Sequence, residues 1–328
     1  MLYDLPKLKI GHLEPCLPII QGGMAVRISL APLAAAVANA GGVGVIGASG
    51  MSSAELAEEI KLARKLTDGV IGVNIMVALR DFADLIKTAI ESKVDFITSG
   101  AGFSRDVFKW CGEANVPFVP IISSKKAADL AEKLGASAVV VEGKEAGGHL
   151  GTDRPLMTIL REVTEAMKIP VIAAGGIIRG RDMRAAFNAG ASGVQIGTRF
   201  ALSNECSGSP AWKQTLLKAK NKDIILVTSP VGLPFRAVIT DFVREVITKD
   251  GDVDVDEICR ACLRDCNKGY CIIIALEQAQ EGDLKNGLFT TGERVVEIND
   301  IQPAQDIIDN LLHDYSSVQE DSPEVEKV

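Results

Sequence analysis

The chain has 328 residues, of which 47% are hydrophobic, so a large core can be buried and global disorder is excluded. The length suits one large α/β barrel with an insertion, or two domains of ordinary size. Lys and Arg total 35 against 43 Asp and Glu, a net charge of −8, which leaves no basic surplus to neutralise phosphates and argues against a nucleic-acid partner. No apolar run approaches the roughly 18 residues of a membrane span. Met1–Lys9 is mixed and charged with no apolar region behind it, so no secretory signal is expected. The cysteine count is seven, an odd number, and four of them crowd together late in the chain. A secreted disulfide framework would spread them out, so the pattern reads as a reducing cytoplasm.

Eight short apolar runs mark the first two hundred residues: Leu17–Gly22, Gly42–Gly47, Val70–Met76, Phe96–Gly100, Pro117–Ser123, Ala138–Glu142, Pro170–Gly176 and Gly193–Phe200. Each has the length of a strand buried on both faces. Their starts lie about 21 to 32 residues apart, room for one strand, one helix and two loops. Between them lie helix signals. Ser52 and Glu55 make a capping box ahead of Leu56 and Ile60. The helix over Ala127–Leu134 ends at Gly135, and that over Met183–Ala189 ends at Gly190, each glycine a left-handed stop. Eight βα units in succession predict an α/β fold, a closed (β/α)8 TIM barrel, over an open doubly wound sheet.

After Phe200 the rhythm breaks. Trp212–Lys220 reads as a helix, Ile224–Thr228 as a strand, Ala237–Thr248 as a helix and Lys249–Asp256 as a surface turn. Ile258–Gln280 holds the cysteines and then an apolar helix. Ile301–Leu312 reads as the last barrel helix, and from Ser316 the tail is polar and frayed. The expected organisation is a barrel of residues 1–202 and 299–315, a largely helical insertion at 203–298 covering the active site, and a flexible tail at 316–328.

Active sites of such barrels sit at the C-terminal ends of the strands. The residues just past each run are therefore the candidates: Gln21-Gly22-Gly23-Met24, Asn74, Ser99-Gly100, Ser123-Ser124, Glu142, Gly148-His149, Gly175-Gly176, and Gln195 with Gly197-Thr198. Gly175-Gly176 and Gly197-Thr198 follow the seventh and eighth strands, where barrels often build phosphate sites from backbone amides. The alternative is that these glycines only tighten turns. Of three histidines, His12 and His313 look incidental, whereas His149 ends a Gly-rich turn at a strand end and suits a base or hydrogen-bond donor. A satisfied structural histidine is the alternative. Cys259, Cys262, Cys266 and Cys271, spaced C-x2-C-x3-C-x4-C, offer four thiolates for zinc or an iron–sulfur cluster, or are simply reduced thiols.

Several of these segments resemble the nitronate monooxygenase family, formerly 2-nitropropane dioxygenases, whose superfamily includes the FMN-dependent enoyl-acyl-carrier-protein reductases. They are Gln21–Met24, Glu142-Gly143-Lys144-Glu145-Ala146-Gly147-Gly148-His149, Ala173–Ile177, Gly193–Phe200 and Ser229–Pro234 with Arg236-Ala237. The resemblance covers about residues 10–245. It implies FMN in the barrel mouth, with Gly22, Gly23 and Met24 beside the ring, and Asn74 and Glu142 at the ring edge or ribityl chain. It places Gly148, Gly175, Gly176, Gly197 and Thr198 at the phosphate side, with Gln195 among the cofactor-binding residues, and makes His149 the catalytic residue over the flavin.

The leading expectation is oxidation of alkyl nitronates with O2 to a carbonyl compound and nitrite. The alternatives are an NAD(P)H-dependent enoyl-thioester reductase, an NAD(P)H:quinone reductase, and an electron-transfer protein carrying a cluster on the four cysteines. A homodimer is compatible with the apolar Ile272–Leu276 stretch, which reads as either core or interface.

Overall fold

A strand that is apolar on both faces satisfies its backbone only against parallel neighbours with helices outside them, and the chain builds that arrangement. The computed structural model describes residues 4–247 and 259–317. In chain order the first half runs β1 (Ile19–Gln21), α1 (Ala31–Asn39), β2 (Gly44–Gly47), α2 (Ser53–Leu66), β3 (Ile71–Asn74), α3 (Phe82–Glu91), β4 (Phe96–Ser99), α4 (Asp106–Glu113), β5 (Phe118–Ile122), α5 (Lys125–Lys133) and β6 (Val139–Glu142). There follow a two-residue strand β7 (Gly148–His149), α6 (Leu156–Thr164), β8 (Val171–Ala174), α7 (Gly180–Asn188), β9 (Gly193–Ile196) and the short α8 (Thr198–Ala201). The parallel sheet runs β1-β9-β8-β6-β5-β4-β3-β2. A parallel bridge between Ile20 and Val43 joins its two ends, so the sheet is a closed (β/α)8 barrel. All eight apolar runs of the sequence supply its strands.

Side chains alternate along each strand. Ile20, Val45, Phe96, Val119, Val140 and Ile172 form a small cluster inside the barrel. Ile19, Ile46, Val73, Ile97, Val139 and Val171 face outward into the larger cluster shared with the helices. The inner layer fits by pairing large with small: a methyl on Gly72 would lie 2.3 Å from the Phe96 ring. The capping box is present, with the Glu55 amide donating to the Ser52 hydroxyl and the Ser52 amide to the Glu55 carboxylate. Gly135 and Gly190 both stop their helices at φ +92°.

Beyond α8 the chain forms α9 (Pro210–Lys218), β10 (Ile224–Thr228), β11 (Pro234–Val238), α10 (Ile272–Glu281) and α11 (Ala304–Ser317). β10, β11 and β7 make a second, antiparallel sheet. The helix expected over Ala237–Thr248 is thereby corrected. Ala237 and Val238 belong to β11, where Ala237 pairs with Ile225 and is fully buried. Helical turns begin only after Thr240, whose hydroxyl accepts the Val243 amide, and continue as a π-helical turn over Val243–Ile247. Pro234–Val238 carries no alternation to read, since Phe235 through Val238 are all buried. The turn expected at 249–256 lies outside the described residues. Ser316 and Ser317 complete α11 rather than starting the tail, the rest of which lies outside the described residues. α11 packs against α7 and α1 and closes the helix ring. Among the described residues no helix is long and apolar enough to cross a membrane.

The inner layer makes a stability prediction. Phe96→Ala should cost about 3–5 kcal/mol, the usual penalty for a large cavity in a core. Gly72→Ala should also destabilise, because the ring would have to move. Urea midpoints for both variants equal to that of the unaltered protein would contradict this packing.

Candidate active site

A cavity of about 270 Å³ opens at the C-terminal ends of the barrel strands. Gly22, Gly23, Met24, Asn74, Glu142, Gly148, His149, Gly175, Gly176, Gln195, Gly197 and Thr198 all line it. Of the strand-end candidates, Gln21, Ser99, Ser123 and Ser124 do not line it. His12 and His313, set aside there, are exposed.

The floor is fixed by one buried side chain and one close approach. Gln21, fully buried, accepts the Val45 amide at 3.0 Å and donates to the Val45 carbonyl at 3.1 Å, tying β1 to β2. Gly23 is a glycine for space: a methyl there would lie 2.3 Å from Asn74 Cβ. The Ser29 hydroxyl accepts the Met24 amide at 2.8 Å, which sets the course of the loop along the cavity wall.

His149 occupies β7, where it pairs with Phe235 and Gly148 pairs with Arg236. Gly148 has φ +75°, a left-handed conformation that disfavours a side chain. The His149 ring meets the Phe235 ring edge-on, with centroids 4.9 Å apart. Its Nε2 is shielded from solvent and has no hydrogen-bond partner among the described residues. Burial pushes the imidazole down to about 4, so it is neutral at physiological pH. Glu142, at the end of β6, lies deep in the same cavity, and burial pushes its carboxyl up to about 8. The cavity therefore presents an uncharged imidazole and a protonated carboxyl near neutrality.

At the other end, Gly175 and Gly176 take φ +100° and +72°. Thr198 opens α8 beside Gly197, and its hydroxyl accepts the Gly292 amide at 2.9 Å. First-turn amides of a helix have no intrahelical partners and attract anions. Arg294 borders the same end and donates to the Gly176 carbonyl at 2.6 Å. Its charge is already met by Glu297 at 2.6 Å and Asp182 at 2.9 Å, which hold its pKa above the usual arginine range. An anion here would accordingly rest mainly on amides.

The opposite wall is apolar and includes Val26, Ile28, Met76, Trp212, Ile272, Ile273 and Leu276. The Ile272–Leu276 stretch is thus cavity wall. Sequence reasoning missed Thr290, Thr291, Gly292 and Arg294 from the later chain, which also line the cavity, the Thr291 hydroxyl having no partner among the described residues. Thr290-Thr291-Gly292 carries the small, polar, Gly-ended signature of the strand ends, and that was the available signal.

The metal expectation is corrected. Among the described residues no group of three or more His, Cys, Asp or Glu side chains is arranged to hold an ion. Cys259 and Cys266 accept amides two residues on, from Ala261 and Lys268, at 3.4 Å each. Burial, aided by neighbouring thiols, pushes the Cys262 thiol up to about 11. The segment is held instead through its backbone. The Arg80 amide donates to the Cys262 carbonyl at 2.9 Å, and Arg80 Nε to that of Leu263 at 2.7 Å. In return Arg264 donates to Ala78 and Leu79, both at 3.0 Å.

A closed barrel with a glycine-lined mouth and a sheltered histidine has the layout of a barrel enzyme's site. The chain belongs to the nitronate monooxygenase family, whose model matches residues 7–94 and 86–314. A probable nitronate monooxygenase of Staphylococcus aureus is 30% identical over 281 residues, 72% of this chain and 79% of that protein. The structure of FabK from Thermotoga maritima is 36% identical and superposes with a TM-score of 0.82 over 92% of this chain and 93% of that one. A Mycobacterium tuberculosis (3aS,4S,5R,7aS)-5-hydroxy-7a-methyl-1-oxo-octahydro-1H-indene-4-carboxyl-CoA dehydrogenase is 34% identical over 234 residues. That match takes in 70% of this chain but only 65% of the relative's length.

The buried imidazole has a stability signature. Above about pH 6.5 His149 is neutral in both folded and unfolded chains. Between 6.5 and about 4 only the unfolded chain takes up the proton, so stability falls as pH drops through that window. The full difference is of order 3 kcal/mol. Melting temperatures of His149→Phe should fall less steeply than those of the unaltered protein between pH 6.5 and 4.5. Parallel slopes would show that the ring is not sheltered.

Proposed function

We propose that the chain is an FMN-dependent oxidoreductase that converts alkyl nitronates and O2 to carbonyl compounds and nitrite. The observation that carries this reading is the neutral, unpartnered Nε2 of His149 in a cavity walled by glycines on one side and apolar side chains on the other. In this reading residues 203–298 form a cover over the barrel of residues 1–202 and 299–315.

FMN fits the residues present. Gly175, Gly176, Gly197 and Thr198 would hold its phosphate through amides. Asn74, Gln195 and the protonated Glu142 would meet its polar edge, with Gly22, Gly23 and Met24 along it and Gly148 toward the phosphate. Bound there, FMN supplies electron transfer and the reaction with O2. The chain's own part is binding and proton control. His149 Nε2 would accept the α-proton of a neutral nitroalkane, or, in the other tautomer, donate to the nitro oxygens of a nitronate. Val26, Ile28, Met76 and Ile273 would take the alkyl group and exclude water. Two nitronates and one O2 balance two carbonyl compounds and two nitrite ions.

A second reading is reduction of an enoyl thioester, or of a quinone, with NAD(P)H as electron source. It is favoured by the carboxyl-CoA relative and by the sequence resemblance to enoyl-acyl-carrier-protein reductases. His149 would then donate to the substrate carbonyl.

Purified protein with propyl-2-nitronate in air should release nitrite with matching oxygen uptake. His149→Gln should lower kcat/KM on the order of 10²-fold, the scale of a lost general acid–base group. Absence of nitrite and oxygen uptake, together with anaerobic bleaching by NADH that crotonyl thioester reverses, would replace this reading by the second.

A further inference from the structure

We infer that Arg236 is the positioning residue for His149, holding the loop that presents the imidazole while staying out of the cavity itself. This rests on the reading of His149 as the reacting side chain.

The loop between β6 and β7 is residues 143–147, Gly-Lys-Glu-Ala-Gly, with Gly148 immediately after it. The Glu145 carboxylate ties it to the start of α6 by accepting the Leu156 amide at 3.0 Å, and Ala146 is buried. Two of the loop's peptide oxygens are taken by one guanidinium. Arg236 Nε donates to the Ala146 carbonyl at 3.1 Å, and its Nη2 to the Lys144 carbonyl at 2.6 Å. Glu293 lies 3.6 Å from the same group, and the Glu293 amide donates to the Glu145 carbonyl at 3.0 Å.

The register explains why this residue can do so. Directly opposed residues of an antiparallel pair share a face. His149 opposes Phe235, and both line the cavity. Arg236 opposes Gly148, so its side chain leaves from the other face; it is buried and does not line the cavity. A second tie runs through Thr290, whose hydroxyl accepts the Gly148 amide and donates to the Arg236 carbonyl, both at 2.9 Å. β11 thus grips the histidine strand by ladder pairing on one side and by a two-pronged cation on the other. A planar fork presents its donors at fixed spacing and so sets the two carbonyls in place more rigidly than the single, rotatable ammonium of a lysine. Charge-assisted bonds to carbonyls are also stronger than neutral ones.

The charged groups around the imidazole are Glu142 at the end of β6, Lys144 and Glu145 on its own loop, Arg236 on β11, and Glu293 and Arg294 on the turn that follows Gly292. None of them bonds its Nε2. Its neutrality therefore depends on being held in a sheltered place. Loosening the loop would let water reach the ring.

The test uses full-length protein as purified, with histidine 13C labelling and NMR titration from pH 4 to 8. His149→Gln assigns the signal among the three histidines. The unaltered protein should titrate at His149 near pH 4. Arg236→Met should raise that midpoint by one pH unit or more toward the ordinary value of about 6.5. Arg236→Lys should give an intermediate shift. With nitronate as substrate, kcat should fall about tenfold or more in Arg236→Met with little change in KM, while the flavin absorbance is kept. A folded Arg236→Met with an unchanged midpoint overturns the assignment. If Arg236→Met does not fold, Arg236→Lys and Thr290→Val decide by the same readout, a shift supporting the assignment and no shift overturning it. The midpoint does not depend on turnover. Loss of nitrite production from every nitronate, with the shift retained, would therefore fault the proposed reaction and not the role of Arg236.

Discussion

An imidazole stays uncharged and unbonded inside a protein only where the backbone beneath it is fixed by something else. Burial removes the water that would stabilise its proton, and no carboxylate stands close enough to restore it. In this chain the fixing is done by β11 and the turn after Thr290, which take up the amides and carbonyls of the loop carrying His149. The ring then needs no bond of its own, and its Nε2 is left for whatever enters the cavity. Glu142 obeys the same rule with opposite sign: its shelter favours the protonated carboxyl.

The barrel and the later chain divide the work. Barrel strand ends supply glycines where backbone must come close, and the inner layer of Phe96 and its neighbours keeps those ends at constant spacing. The later chain supplies side chains: Phe235 beside the imidazole, Thr291 and Arg294 at the anionic end, and Ile272, Ile273 and Leu276 on the apolar wall. The cysteine segment anchors that wall. Through Arg80 and Arg264 it is stitched to the loop after β3, the strand that carries Asn74, and Cys271 leads directly into α10. Its contribution is a backbone staple rather than a ligand set.

The barrel was legible because its strands repeat one pattern, apolar runs ending in small residues, and because each parallel strand must be buried twice. The strand-end rule then placed Gly22, Asn74, Glu142, His149, Gly176 and Thr198 in one cavity. The later chain was less legible for a physical reason. β11 pairs with β10 across a short hairpin, but its other partner, β7, is distant in sequence and only two residues long. Ala237 and Val238 run into a segment that does turn helical after Thr240, and only the pairing with β10 shows that they belong to a strand. The cysteines misled for a related reason: spacing reports which thiols are near in sequence, not whether the fold turns them toward one point.

The central claim is that the barrel mouth holds one FMN beneath His149. Its most direct test is a titration of the purified, flavin-stripped protein with FMN, read by quenching of flavin fluorescence and by the visible spectrum. The account predicts saturation at one FMN per chain and a resolved, protein-bound flavin spectrum. A folded protein that leaves added FMN free in solution would contradict it.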